Sequence, residues 1–323
     1  MTPEPTVAIL GTRYADFSVE EEILGRRGFR IVTGDGERAD DIVSEADGAV
    51  VIMAGARPRF DAEVIARLSC AGIVRYGVGV ESVDLNAASR AGMWVAYVPD
   101  YGTDSVAVHA VTLLLASFRR VSAADRLVKR GEWGIDSLRP LHAPGATTVG
   151  IIGVGRIGRR VAELLERFGF TMLGYEPVVD VASVGHGVGE ATLEELLSRS
   201  DVITMHAPGD PGGSPMLGRA ELALMKEGAI IVNTARGSLI DQEALRDLIL
   251  SGRIAVAALD VFAAEPPGTS LDGVADRTVL TPHMAWYTEE SEFDLRVKAA
   301  REALRIIDGS APENVAARPM GVE

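Results

Sequence analysis

The chain has 323 residues, 47% apolar and 24% charged, the composition of an ordinary globular protein long enough for two domains. Its formal charge of -14, from 32 basic and 46 acidic side chains, disfavours nucleic-acid and anionic-membrane binding, so an anionic ligand needs a local basic pocket. The single cysteine, Cys70, excludes an internal disulfide and a Cys-based zinc cluster.

Residues 1–7 lack the basic start and apolar core of a signal peptide. The longest apolar runs, 50–54 and 111–116, are too short to cross a bilayer, so a cytoplasmic protein is expected. Val7-Ala8-Ile9-Leu10 predicts a strand, 20–28 a helix ended by Gly28, and 29–32, 48–53, 73–75 and 94–98 further strands. Continuous apolar strands alternating with helices predict a parallel sheet covered on both faces. A long helix is predicted over 104–120, with Asp104 or Ser105 near its start and Val108, Val111, Leu114, Leu115 and Phe118 at helical spacing. A stretch bearing Pro and Gly follows at 131–145. Six strands of a second α/β unit are then expected at 149–152, 172–175, 202–205, 230–233, 256–259 and 279–280. Another amphipathic helix is predicted over 289–307, and an irregular tail over 309–323.

The strongest local signal is Gly153-Val154-Gly155-Arg156-Ile157-Gly158, with a strand before it and a helix after it. Gly153 permits the tight turn, Gly155 lets backbone approach a pyrophosphate, and Gly158 lets the helix pack close to the sheet. The helix N-terminus offers free N–H groups to phosphate. Glu176 ends the next strand, where a carboxylate can hold both ribose hydroxyls of NAD and repel the 2′-phosphate of NADP. NAD(H) is the cofactor this pattern predicts. The plainer alternatives are a tight strand–helix turn and a solvated Glu176.

Three successive strand ends carry polar residues: Arg236 after 230–233, Asp260 and Glu265 after 256–259, and His283 after 279–280. Ligands of open parallel sheets sit beyond such ends. Histidine supplies a proton near neutral pH, and an adjacent glutamate favours its protonated form. Arginine can bind a carboxylate or carbonyl and stabilise charge developing on oxygen. Asp260 suits the carboxamide of a nicotinamide. Taken singly, Arg236 can cap a helix or pair with Asp241, His283 can be a satisfied structural residue, and Glu265 a solvated one. Together they suit reduction of a 2-oxo acid. His109, His142 and His186 lack such company and are read as structural or exposed.

With these residues in view, the chain resembles the D-isomer-specific 2-hydroxyacid dehydrogenases over nearly its full length. The matching motifs are Gly77-Val78-Gly79-Val80-Glu81, the loop from Gly150 to Gly158, Asn233-Thr234-Ala235-Arg236 through Asp241, Ala258-Leu259-Asp260-Val261-Phe262, and Thr281-Pro282-His283. His283-Met284-Ala285-Trp286-Tyr287 is most similar to the C-terminal-binding-protein branch, which holds NAD-regulated corepressors as well as enzymes. The resemblance implies a Rossmann NAD-binding domain, residues 104–288, inserted into a flavodoxin-like α/β substrate domain built from 1–103 and 289–323. It implies Arg236, Glu265 and His283 as the catalytic trio, and Val78 and Gly79 as backbone donors to the substrate carboxylate. Arg156, Ile157, Glu176, His206, Pro208, Thr234 and Asp260 would line the NAD site, Trp286 would form a wall of the substrate pocket or pack between domains, and no metal is implied. Its members are typically homodimers joined through the nucleotide domains. Two departures stand out: Val108 occupies a position where many members have glutamate, and Glu176 one where many have aspartate.

The first functional expectation is NAD-dependent interconversion of a small anionic 2-oxo acid and an R-configured 2-hydroxy acid. The second is an NADH-sensing, corepressor-like scaffold with little catalysis. An L-lactate or malate dehydrogenase layout is excluded because its glycine loop lies near the N-terminus, and a formate-type dehydrogenase is disfavoured by the Glu265 and His283 pattern.

Overall fold

The computed structural model describes residues 5–209 and 213–322. Residues 1–4, on which part of the leader reading falls, and residue 323 lie outside the described residues. The chain divides into two compact units, Met1–Gly102 with Thr288–Glu323, and Thr103–Tyr287.

In the first unit β1 (Thr6–Leu10), a short helix α1 (Ser18–Glu20) that runs on as one π-turn, and β2 (Arg30–Gly34) open the fold. They are followed by α2 (Ala39–Glu45), β3 (Ala49–Ala54), α3 (Ala62–Arg67), β4 (Gly72–Arg75), α4 (Leu85–Arg90) and β5 (Trp94–Ala96). Asp61 and Asp84 accept from the third amide of α3 and α4, at 2.9 and 2.8 Å, satisfying donors a helix start leaves orphaned. The five strands pair in parallel in the order β5-β4-β3-β1-β2, the flavodoxin-like arrangement. Ala8, Leu10, Ile52, Ile73 and Val95 bury one face against Ile42, Val64, Ile65 and Ala88 of the helices.

The second unit begins with α5 (Thr103–Phe118) and α6 (Val121–Lys129), then β6 (Thr148–Ile152), α7 (Arg156–Glu166), β7 (Thr171–Tyr175) and β8 (Val188–Glu190). Next come α8 (Leu193–Arg199), β9 (Val202–Met205), α9 (Arg219–Leu224), β10 (Ala229–Asn233), α10 (Gln242–Leu250), β11 (Ile254–Leu259) and β12 (Thr278–Leu280). The sheet order is β12-β11-β10-β9-β6-β7-β8, all parallel. Strand residues alternate between two apolar cores. Ile152, Ile203, Ile231 and Leu259 join α8, α9 and α10; Ile151, Val202, Val232 and Ala258 join α5 and α7. Period-2 alternation with both faces apolar is what a doubly covered parallel sheet requires. The order reverses between β6 and β9, and in such sheets the crevice at that reversal is where ligands bind.

The first unit is completed by α11 (Glu289–Ile307) and β13 (Val315–Ala317). The tail is therefore not irregular as expected: β13 adds an antiparallel edge to β5. The expected helix over 20–28 is mostly a π-turn, and α6 and β8 are additions to the expected elements. The helix expected to reach residue 120 stops at Phe118, because Arg120 takes a left-handed φ of 54°. Among the described residues no single helix is long and apolar enough to cross a membrane; α5 with α6 would pass together, but they bend by 57°.

Candidate active site

The glycine loop leaves the C-terminal end of β6. Gly153 has φ of 88°, and a Cβ there would stand 2.5 Å from the Ala207 amide. A Cβ on Gly158 would meet the Gly153 carbonyl oxygen at 2.0 Å. Both glycines are thus demanded by packing inside the unit. Gly155 is not: a Cβ on it would meet nothing within 4 Å. It precedes α7 with no side-chain cap, so the first amides of that helix are left to a ligand.

Other expected cofactor residues gather at neighbouring strand ends. Glu176 follows β7, and its Oε1 accepts the Val178 amide at 3.1 Å. His206 follows β9, where its amide donates to the Ile152 carbonyl at 2.7 Å and its Nε2 meets Thr204 Oγ1 at 2.9 Å. Burial drives the His206 imidazole pKa down to about 3, so the ring is neutral at physiological pH. Its Nδ1 and the Thr234 hydroxyl, after β10, are shut off from solvent without a hydrogen-bond partner. Two orphaned polar atoms at the ends of β9 and β10, and a helix start with no side-chain cap after β6, fit a dinucleotide, which supplies both phosphate and amide groups. Arg156 and Pro208 are exposed and Ile157 is half-buried.

Arg236 is presented by a turn that Asn233 ties down. The buried Asn233 side chain accepts the Ala235 amide at 2.9 Å and donates to the Arg236 carbonyl at 2.8 Å. The sequence reading did not single out that role, although Asn233 stands at the head of the motif. Arg236 donates to the Ala235 carbonyl at 2.8 Å, while Asp241 caps α10 through the Ala244 amide at 3.0 Å. After β11, Glu265 Oε1 accepts the Phe262 amide at 3.1 Å, and its Oε2 lies 2.7 Å from His283 Nδ1. Burial pushes the Glu265 carboxyl up. The hydrogen bond and charge of His283, the Phe262 amide and the charge of Arg236 outweigh it, leaving the pKa below the usual glutamate value. A carboxylate on Nδ1 makes that nitrogen the donor and leaves Nε2, on a ring 46% exposed, as the proton-exchanging atom. The structure therefore brings Arg236, Glu265 and His283 to consecutive strand ends of one sheet.

Asp260 is fully buried and already committed to the chain. Its Oδ1 accepts from Thr281 Oγ1 at 2.5 Å and the Met284 amide at 3.0 Å, and its Oδ2 accepts the Ala285 amide at 2.9 Å. His109 is the correction here. It does have company, for its Nε2 lies 3.0 Å from Thr281 Oγ1 and 3.6 Å from Asp260 Oδ1. The pairing joins residues 172 apart in the chain, which no spacing rule detects. His186 pairs with Glu166 at 3.0 Å on the surface. Trp286 donates its indole N–H to the His283 carbonyl at 3.1 Å and meets Tyr287 edge-on.

Within the first unit, Val78 and Gly79 follow β4. Val78 is 42% exposed, and the loop begins at Gly77, whose φ is 128°. Arg75 and Tyr76, just before it, are buried, and Arg75 donates to the Ala54 and Gly55 carbonyls.

Residues 111–285 match the model of the D-isomer specific 2-hydroxyacid dehydrogenase, NAD binding domain. The D-3-phosphoglycerate dehydrogenase of Archaeoglobus fulgidus is 33% identical over 301 residues, 92% of this chain and 57% of that protein. The chain spans about half the length of the curated relatives it matches. Among solved structures, the D-lactate dehydrogenase of Aquifex aeolicus, complexed with NAD and lactic acid, superposes with a TM-score of 0.89 at 26% identity, covering 97% of this chain and 99% of that one. The TT0316 protein of Thermus thermophilus superposes at 0.84 with 31% identity, covering 97% and 100%. The unit that matches an NAD binding domain is doubly wound and carries an acid-supported histidine and an arginine at its strand ends. The chain belongs to the D-isomer-specific 2-hydroxyacid dehydrogenase family.

Proposed function

We propose that the protein reduces a small 2-oxo acid to a D-2-hydroxy acid with NADH, and catalyses the reverse reaction with NAD. The observation that carries this reading is the 2.7 Å contact of His283 Nδ1 with Glu265, which leaves Nε2 to give a proton to the carbonyl oxygen, or to take it back. When bound, the dihydronicotinamide supplies the hydride that reduces the carbonyl carbon. Arg236 binds the substrate and stabilises negative charge growing on its oxygen. Glu265, held ionised, accepts the Nδ1 hydrogen of His283 and fixes its tautomer. Val78 and Gly79 are assigned to the substrate carboxylate through their amides. Met284, Trp286 and Tyr287, close to His283 in the chain, supply apolar surface for the substrate side chain. The test is NADH oxidation against aliphatic, aromatic, dicarboxylic and phosphate-bearing 2-oxo acids. Turnover with at least one supports the reading; tight NADH binding with no turnover across the panel overturns it.

We also propose a homodimer built through the second unit. Trp133 is 91% exposed and Ile135 57%, and α6 leaves Val121 and Val128 half uncovered. Apolar surface of this size is costly to leave in water. Light scattering should give twice the chain mass, and Trp133→Asp should shift it toward the monomer.

A further inference from the structure

We propose that His109 and Thr281 are positioning residues for proton transfer: with Asp260 they form a relay that fixes the backbone carrying His283. The inference rests on the reading of His283 as proton donor. A threonine hydroxyl has one proton to give. The 2.5 Å contact with the carboxylate of Asp260 commits it there, so toward His109 the same oxygen can only accept. His109 Nε2, at 3.0 Å, therefore carries the hydrogen. The relay runs from a histidine on α5, through Thr281 just beyond β12, to Asp260 just beyond β11.

Its output is the turn that follows. The amides of Met284 and Ala285 both end on the Asp260 carboxylate, and the His283 amide donates to the Asp260 carbonyl at 2.8 Å. Those bonds hold His283 at a left-handed φ of 54°, a conformation that non-glycine residues rarely adopt. A carboxylate is broad in its terminal torsion; Thr281 on one oxygen and amides on both leave it a single orientation. The exposed His283 ring is anchored through its bond to Glu265, and the rest of its placement is inherited from this backbone. Proton transfer depends steeply on such placement. Because α5 is packed into the core through Ala107, Ala110, Val111 and Leu114, His109 ties the turn to a rigid part of the unit.

The test uses the full chain and four variants: His109→Leu, His109→Gln, Thr281→Val and the double His109→Leu/Thr281→Val. Three readouts are taken: kcat with the best 2-oxo acid of the panel, NADH affinity by fluorescence, and amide hydrogen exchange over 283–285. His109→Leu and Thr281→Val should each lower kcat by about tenfold, the scale of one hydrogen bond. NADH affinity should stay within about twofold, the Met284 and Ala285 amides should exchange faster, and the double variant should be no worse than the poorer single. His109→Gln, whose amide nitrogen reaches as far as Nε2, should restore most of the kcat. Wild-type kcat in Thr281→Val or His109→Leu, unchanged exchange, or additive losses shared equally with NADH affinity would overturn the relay. If His109→Leu does not fold, Thr281→Val and the glutamine rescue decide it. If the wild type reduces no 2-oxo acid, the functional reading fails, and exchange at 284 and 285 still reports whether the relay holds the turn.

Discussion

The guanidinium of Arg296 grips the fully buried carboxylate of Glu20 with its Nη2 at 2.6 Å and its Nε at 3.0 and 3.2 Å. Tyr76 adds its hydroxyl at 2.9 Å, Tyr14 lays its ring 4.8 Å from the guanidinium carbon, and the Asp16 carbonyl accepts a further bond at 2.8 Å. Burial and the neighbouring Glu20 charge push the Tyr76 hydroxyl well above its usual pKa, so it stays a donor. This cluster joins α1, α11 and the end of β4, where the chain enters the loop holding Val78 and Gly79.

Glu20→Ala strands an arginine in the interior and should destabilise the first unit by about 3–5 kcal/mol. Urea unfolding measures it. Glu20→Met combined with Arg296→Met should recover much of that loss, because the pair repays its desolvation only when both members remain. A Glu20→Ala protein as stable as the wild type would contradict the assignment.

Arg236→Ala should cut kcat/KM at least about 100-fold, the usual scale for removing a donor from a developing oxyanion. NADH affinity should remain near that of the wild type. A variant with normal catalytic efficiency would remove Arg236 from the reaction.

The two kinds of glycine in the loop make opposite forecasts. Gly155→Ala should melt with the wild type yet bind NADH at least about tenfold more weakly, since the added methyl group enters the space above the helix start. Gly158→Ala should melt earlier, because its Cβ would fall 2.0 Å from the Gly153 carbonyl. Titration calorimetry and thermal unfolding, run on both variants, separate the effects.

Acid should weaken the second unit through His206. In the unfolded chain this imidazole binds a proton below its ordinary value of 6.5, while in the fold it stays neutral down to about 3. Between those limits the unfolded state holds more protons, so stability falls as pH falls, by no more than about 1.4 kcal/mol per pH unit. Stability curves of the wild type and His206→Gln should diverge below pH 6.5 and run parallel above it. Parallel curves throughout would mean that the ring titrates normally.

Glu176→Ser should narrow the preference for NADH over NADPH by removing the carboxylate that repels a 2′-phosphate. The ratio of kcat/KM with the two cofactors measures it. An unchanged ratio would assign the discrimination to another group.

Much of this architecture is visible in the residue order because its parts are local. Apart from β8, the strands of the second unit are mainly apolar runs, and α11 shows its periodicity and its Thr288–Ser291 cap without help. What the residue order hides is either short or non-local. β8 and β13 are three-residue edges with little burial, and α6 is a short helix separated from α5 by only Arg119 and Arg120. Arg236, Glu265 and His283 are legible because each follows a recognisable strand. His109 with Thr281, and Glu20 with Arg296, pair residues 172 and 276 apart, and folding alone makes them neighbours.

The seam between β5 and β13 also sets an order of assembly on the ribosome. The second unit is contiguous, Thr103–Tyr287, and can close as soon as its last strand emerges. The first must wait with an uncovered edge on β5, and with β3 and β4 lacking the helix that packs on them, until synthesis has passed Ala317. At roughly 5–20 residues per second the early strands stay unsealed for tens of seconds, an interval in which the bare edge of β5 is open to pairing with other chains.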